Sequence, residues 1–171
     1  MPSLFLSYDY KTDEYWRVRF DDVFGDAYEI KLVQPGQLKP GDGAGYVKRL
    51  IDQQVLTPED VVVVLLGPKT YSISKVDWDI AAALERKGMR PSGLLAIRLP
   101  THEDHGKKTI NPKRLPARLV DNIKSGYVKI YDWSETDTTM QTRYYQALKD
   151  TREKRTFIKN NRKLMEQDMF R

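Results

Sequence analysis

The sequence predicts an α/β protein with a doubly wound parallel sheet of about five strands. Three observations predict it. Val61 to Leu66, VVVVLL, is an apolar run without a polar interruption, and its four valines are β-branched, stiff at χ1 and suited to a strand. A strand that is apolar on both faces belongs at the buried centre of a parallel sheet. Strand-like and helix-like segments also alternate along the whole chain, with glycine or proline at several of the junctions.

Each element follows from local pattern. Leu4-Phe5-Leu6 opens a first strand, closed by Ser7-Tyr8-Asp9-Tyr10. Asp13 to Phe24 places Trp16, Phe20 and Val23 at helical spacing, with Gly25 positioned as a C′ cap. Ala27 to Val33 alternates enough for a second strand. Residues 34–45, QPGQLKPGDGAG, hold four glycines and two prolines and predict a long mobile loop before a short helix over Tyr46 to Val55. Val61–Leu66 is the third strand, stopped by Gly67-Pro68; a helix follows over residues 75–87 with Ile80, Ala83 and Leu84 on one side. Gly93 to Leu99 is a fourth strand. Residues 100–116, broken by Pro100, Pro112 and Pro116, read as a surface excursion before one or two helical turns over Ala117 to Ile123. Tyr127 to Tyr131 is a short fifth strand, and residues 137–169 read as one long helix.

Composition sets the class. With 171 residues the chain can bury a core as one domain, expected over residues 1–150, with a basic helical extension over residues 151–171. There is no cysteine, which excludes disulfides, thiolate metal sites and cysteine nucleophiles. The first residues lack the basic n-region of a signal peptide, and no apolar run approaches a membrane span, so a cytoplasmic protein without membrane contact is expected. The net charge of +5 is uneven: residues 151–171 carry seven Lys/Arg against Glu153, Glu166 and Asp168, which is +4, leaving +1 for the rest. A solvated helix is the plainer reading of that tail, so nucleic acid is not expected as a partner, and a homo-oligomer contact is the favoured use.

The chemistry-bearing residues gather around the third strand. Ligands of open α/β sheets bind at the carboxyl ends of the strands. Asp77 and Asp79 fall at the start of the following helix, where acidic residues oppose the dipole and cap amides. The alternative is a carboxylate at the mouth of the sheet, among Tyr8, Tyr10, Tyr71 and Trp78. Aromatic faces with one carboxylate suit a nucleotide, since rings stack and the carboxylate holds ribose hydroxyls. His102 and His105 stand at i, i+3 spacing in HEDH, but the loop around them offers no support for a metal, and none is expected.

Three segments together resemble the TIR-like domain family of bacterial Thoeris antiviral systems, the ThsB-type proteins: LFLSYDY at the first strand, VVVVLLGPKTYSISKVDWDI around the third, and YVKIYDW at the fifth. The middle one is the most specific, because the family reads there as an apolar strand, a G-x-x-T-Y-like turn and a W-V-x-x-E helix start. The resemblance implies a flavodoxin-like sheet in the order 2-1-3-4-5. It implies an enzyme of the NAD glycohydrolase or ADP-ribosyl cyclase type in antiphage defence. NAD would be the substrate rather than a cofactor, and an ADP-ribose-derived diffusible messenger would reach an effector protein. By the resemblance Asp79 is the catalytic carboxylate, Ser7, Tyr8 and Asp9 lie in the loop at the nucleotide mouth, and the glycine loop is a flap beside it. Tyr71 and Trp78 complete the expected substrate-binding set. The sequence departs from the family at two positions: Lys75 stands at the family's Trp, and Asp79, one methylene shorter, at its Glu. These departures favour the alternative, a non-catalytic TIR-like module that binds nucleotide or protein.

Overall fold

The computed structural model describes residues 1–33, 41–52, 55–85, 88 and 90–170. Five strands form one parallel sheet in the order 2-1-3-4-5: β1 (Ser3–Ser7), β2 (Glu29–Lys31), β3 (Val61–Leu66), β4 (Gly93–Arg98) and β5 (Ile130–Asp132). β3 is central and buried at every residue, pairing with β1 from Leu4↔Val61 to Ser7↔Val64 and with β4 from Val61↔Gly93 to Leu66↔Arg98. The two-residue period of a strand sends alternate valines to opposite faces. Val62 and Val64 join Phe5 beneath α2 (Gly43–Asp52), α3 (Ser74–Leu84) and α4 (Ala117–Lys124). Val61, Val63 and Leu65 join Leu4 and Leu6 beneath α1 (Glu14–Phe24) and α5 (Asp137–Glu153). At Gly93 a Cβ would meet the Val61 side chain at 2.8 Å, so the absence of a side chain admits the close packing of Ala147 on the strand.

Several boundaries differ from the sequence reading, each for a local reason. Gly25 keeps a helical φ of −63° and donates its N–H to Asp21 O; it closes α1 by close approach, since a Cβ there would lie 2.5 Å from that carbonyl. β2 starts later than Ala27, because the Ala27 and Tyr28 amides still bond back to Phe24 O. Of the expected mobile loop, residues 34–40 lie outside the described residues, while Gly43 to Gly45 form the first turn of α2. α3 ends at Leu84, with Glu85 extended at ψ 135°. The fifth strand begins at Ile130, because the amides of Tyr127 and Val128 are both spent on Asn122 O at the end of α4.

The largest difference is at the C-terminus. A C-terminal helix is present, but α5 ends at Glu153 rather than near residue 169, and a 3₁₀ turn over Arg155–Phe157 redirects the chain. Residues 158–170 form a strap without helix across α3 and α4. Side chains of those helices bond its backbone. Asn122 accepts from Lys159 N (2.9 Å) and donates to Lys159 O (2.8 Å). Asp77 accepts from Met165 N (2.9 Å), and the Trp78 indole donates to Met165 O (2.7 Å). Asp168 accepts from Ser74 N (2.8 Å), capping α3 from 94 residues away. Ile158 and Leu164, six residues apart, both pack on the core, a spacing that one helical face does not provide. The strap therefore docks on its own domain.

Beneath it Arg118, 1% exposed, holds Asp77 through Nε (2.8 Å) and Nη2 (3.3 Å). Removing one partner of a buried ion pair strands the other charge, so Arg118→Met is expected to cost about 3–5 kcal/mol of stability. Urea unfolding reads this as a lower midpoint at unchanged slope; a loss below about 1 kcal/mol would show that the clamp contributes nothing.

Candidate functional site

Asp79 lies in the middle of α3 with no exposed surface. Its Oδ2 accepts from Ser7 Oγ (2.7 Å) and Lys75 Nζ (2.9 Å), and its Oδ1 from the Tyr46 hydroxyl (2.8 Å). Each donor arrives by a separate route. Ser7 ends β1 and follows Phe5 onto the α3 side of the sheet. Lys75, also buried, stands one helical turn earlier, the i, i+4 spacing at which side chains meet. Tyr46 comes from α2, whose first turn is glycine-rich. Burial of an ion pair is tolerated when further hydrogen bonds satisfy it, and here two hydroxyls do so. Burial, then the adjacent Asp79 carboxylate, push the Tyr46 hydroxyl far above its ordinary range, so it remains a donor.

Of the residues singled out from the sequence, Ser7 and Asp79 meet. Trp78 lies beside them, its ring centroid 5.6 Å from that of Tyr46. Tyr8 points through the opposite face of the sheet, where its hydroxyl donates to Glu14 (2.7 Å). Asp9 is buried in the β1–α1 loop and accepts from Lys11 N (3.2 Å). Tyr71 packs edge-on against Phe170, in a notch shared with Pro68, His102, Lys113 and Arg114. Neither Asp77 nor Asp79 caps its own helix: the first holds Arg118 and the strap, and the second the cluster above. His102 Nδ1 accepts from Asp104 N, and Nε2 faces Arg114 O, which occupies both ring nitrogens.

A cleft of about 570 Å³ opens beside the cluster, between Gly41, Gly43 and Ala44 on one side and Lys163 to Glu166 on the other. Its size suits a small-molecule ligand. The Trp78 indole touches both walls: it donates to Met165 O, and a Cβ on Gly43 would lie 3.2 Å from it. Asp79 is not among the residues that line this cleft, and it has no exposed surface.

Sequence reasoning did not find Tyr46 or Asp13. Tyr46 had only its place after the glycines as a signal. Asp13, 1% exposed, precedes α1 without capping it. Its carboxyl lies against Gly67, where a Cβ would come within 2.1 Å of Oδ2, and that oxygen has no hydrogen-bond partner among the described residues. Burial, and next the nearby Asp9 charge, push this carboxyl up from 3.8 to about 7. The folded chain thus holds a proton that the unfolded chain releases near 3.8. Stability from this group is fully present below the unfolded value and is lost as pH rises to about 7. Asp13→Asn is expected to gain on the wild type by a few kcal/mol across that window, at about 1.4 kcal/mol per unit of displacement. Parallel unfolding curves at pH 4 and pH 8 would refute the assignment.

A search of curated proteins returns no match for the chain. The family model described as "Thoeris protein ThsB, TIR-like domain" matches residues 5–104, more than half of the chain. That span contains the last three residues of β1, the central strand and the whole of α3, and with them all four members of the Asp79 cluster. The chain belongs to the TIR-like domain family of the Thoeris protein ThsB.

Proposed function

We propose that the protein acts in antiphage signalling by cleaving NAD at the nicotinamide–ribose bond, with Asp79 as the carboxylate that faces the ribose. The observation that supports this most is the convergence of Ser7, Tyr46 and Lys75 on Asp79, at the carboxyl end of β1 and next to a nucleotide-sized cleft. The bond between the ribose carbon and the pyridinium nitrogen breaks with its electron pair going to nitrogen. Nicotinamide leaves neutral and needs no general acid. Oxocarbenium character develops on the ribose, as in glycoside cleavage, and a nearby carboxylate stabilises it. Water capture then yields ADP-ribose and a proton; capture by a nucleophile of the same molecule yields a cyclic product. The released ADP-ribose derivative serves as the messenger to an effector.

The chain supplies this chemistry through few groups. A carboxylate has about four acceptor sites. Ser7, Lys75 and Tyr46 take three, which leaves one on Oδ1 for a ribose hydroxyl. Leu164 and Met165 offer an apolar wall for a ring, and the Lys163–Glu166 ion pair (3.0 Å) stands at the rim. One observation favours the second reading, a non-catalytic module. Asp79 is sealed from solvent and its charge is matched by Lys75.

Nicotinamide release from NAD separates the two readings. Wild-type protein is expected to release it, and Asp79→Asn, which keeps the shape and most hydrogen bonds, to lose at least a hundredfold in rate. Turnover in Asp79→Asn at the wild-type rate would remove Asp79 from the mechanism. Tight NAD binding without release in either protein would establish the non-catalytic reading.

A further inference from the structure

The two oxygens of Asp79 have different surroundings. Oδ2 carries Lys75 and Ser7, a full positive charge and a hydroxyl. Among the described residues Oδ1 carries the Tyr46 hydroxyl alone, a neutral donor kept protonated by burial and by Asp79 itself. We infer that Tyr46 is the positioning residue of the reaction: it fixes Oδ1 as the oxygen that faces the ribose, while Lys75 and Ser7 anchor Oδ2. This rests on the reading of Asp79 as the reacting carboxylate.

The electrostatics distinguish the two oxygens. An ammonium at 2.9 Å offsets the charge at Oδ2, so that oxygen is poorly suited to stabilise a developing cation. A neutral hydroxyl orients Oδ1 and leaves its charge in place. The two oxygens are chemically equivalent, so what the Tyr46 bond fixes is the plane of the carboxylate, and with it the position of the oxygen that lies away from Lys75. A shorter side chain than the family's Glu depends more on such a tether, because misplacement near an ångström costs about a hundredfold in rate.

The backbone of α2 delivers this hydroxyl. Gly43, three residues before Tyr46, meets the Trp78 indole so closely that a Cβ would stand 3.2 Å and 3.3 Å from two of its ring carbons. A glycine there lets α2 approach α3 until the Tyr46 ring lies over Trp78 and its hydroxyl reaches Asp79. The glycines before Tyr46 therefore set the reach of the tether.

Tyr46→Phe tests the inference, because it keeps the ring on Trp78 and removes only the hydroxyl. Nicotinamide release from NAD is measured for wild type and Tyr46→Phe, at a temperature below both melting midpoints. Tyr46→Phe should lower kcat by 10- to 100-fold with KM within twofold. A kcat in Tyr46→Phe within threefold of wild type overturns the positioning role and leaves Asp79 untouched. A fall confined to affinity, with KM raised and kcat unchanged, also overturns it and makes Tyr46 a binding residue. Absence of release from the wild type sinks the reading of Asp79, and this inference with it.

Discussion

A carboxylate with no exposed surface must find every partner inside the protein. Asp79 does so through three donors on separate elements: the end of β1, the preceding turn of α3 and the middle of α2. Leaving such a charge unmatched costs several kcal/mol, so the relative placement of β1, α2 and α3 is tied to this one group. The sheet supplies the frame, because Ser7 reaches Asp79 only if β1 lies beside β3 in the observed register. The charge supplies the specificity, because an apolar residue at position 79 would accept several arrangements of α2 equally well.

The C-terminal strap extends the same logic to the outer side of α3. Its backbone is read by Asp77, Trp78 and Asn122, and its Asp168 caps the helix start. α3 is thus held by β1 from within and by the strap from without, and Asp79 lies between those two supports. The strap falls outside the residues shared with the ThsB family model, yet it forms one wall of the cleft beside the shared cluster. The strap is held mainly through its backbone, at Lys159 and Met165, with Asn160 and Asp168 adding side-chain bonds, and such contacts leave little periodic pattern in the sequence.

Legibility in the sequence followed how local each signal was. Val61 to Leu66 reads as a central strand because burial on both faces requires apolar residues at consecutive positions. The start of α3, with Lys75, Trp78 and Asp79, reads clearly because the i, i+4 spacing is a property of one helix. The extent of the last helix does not read clearly. Phe157, Leu164 and Met165 fit a helical face on spacing alone, while the structure seats Ile158 and Leu164 on the core in a strap without helix. Tertiary packing overrides propensity where a segment has few apolar residues and a neighbouring groove lined with donors and acceptors.

The sequence by itself determined the doubly wound class, the central strand, the family and the candidate carboxylate, since each depends on residues adjacent in the chain. The tertiary structure decided which groups from outside its own helix surround that carboxylate. Tyr46 and Ser7 lie 33 and 72 residues from Asp79, and no periodicity links them. It likewise decided that Asp13 is a buried acid with one oxygen unpartnered among the described residues, because its neighbour Gly67 comes from another strand's end. A buried polar group takes its character from whatever the fold brings within about 3 Å of it, and the chain's own order does not encode that distance.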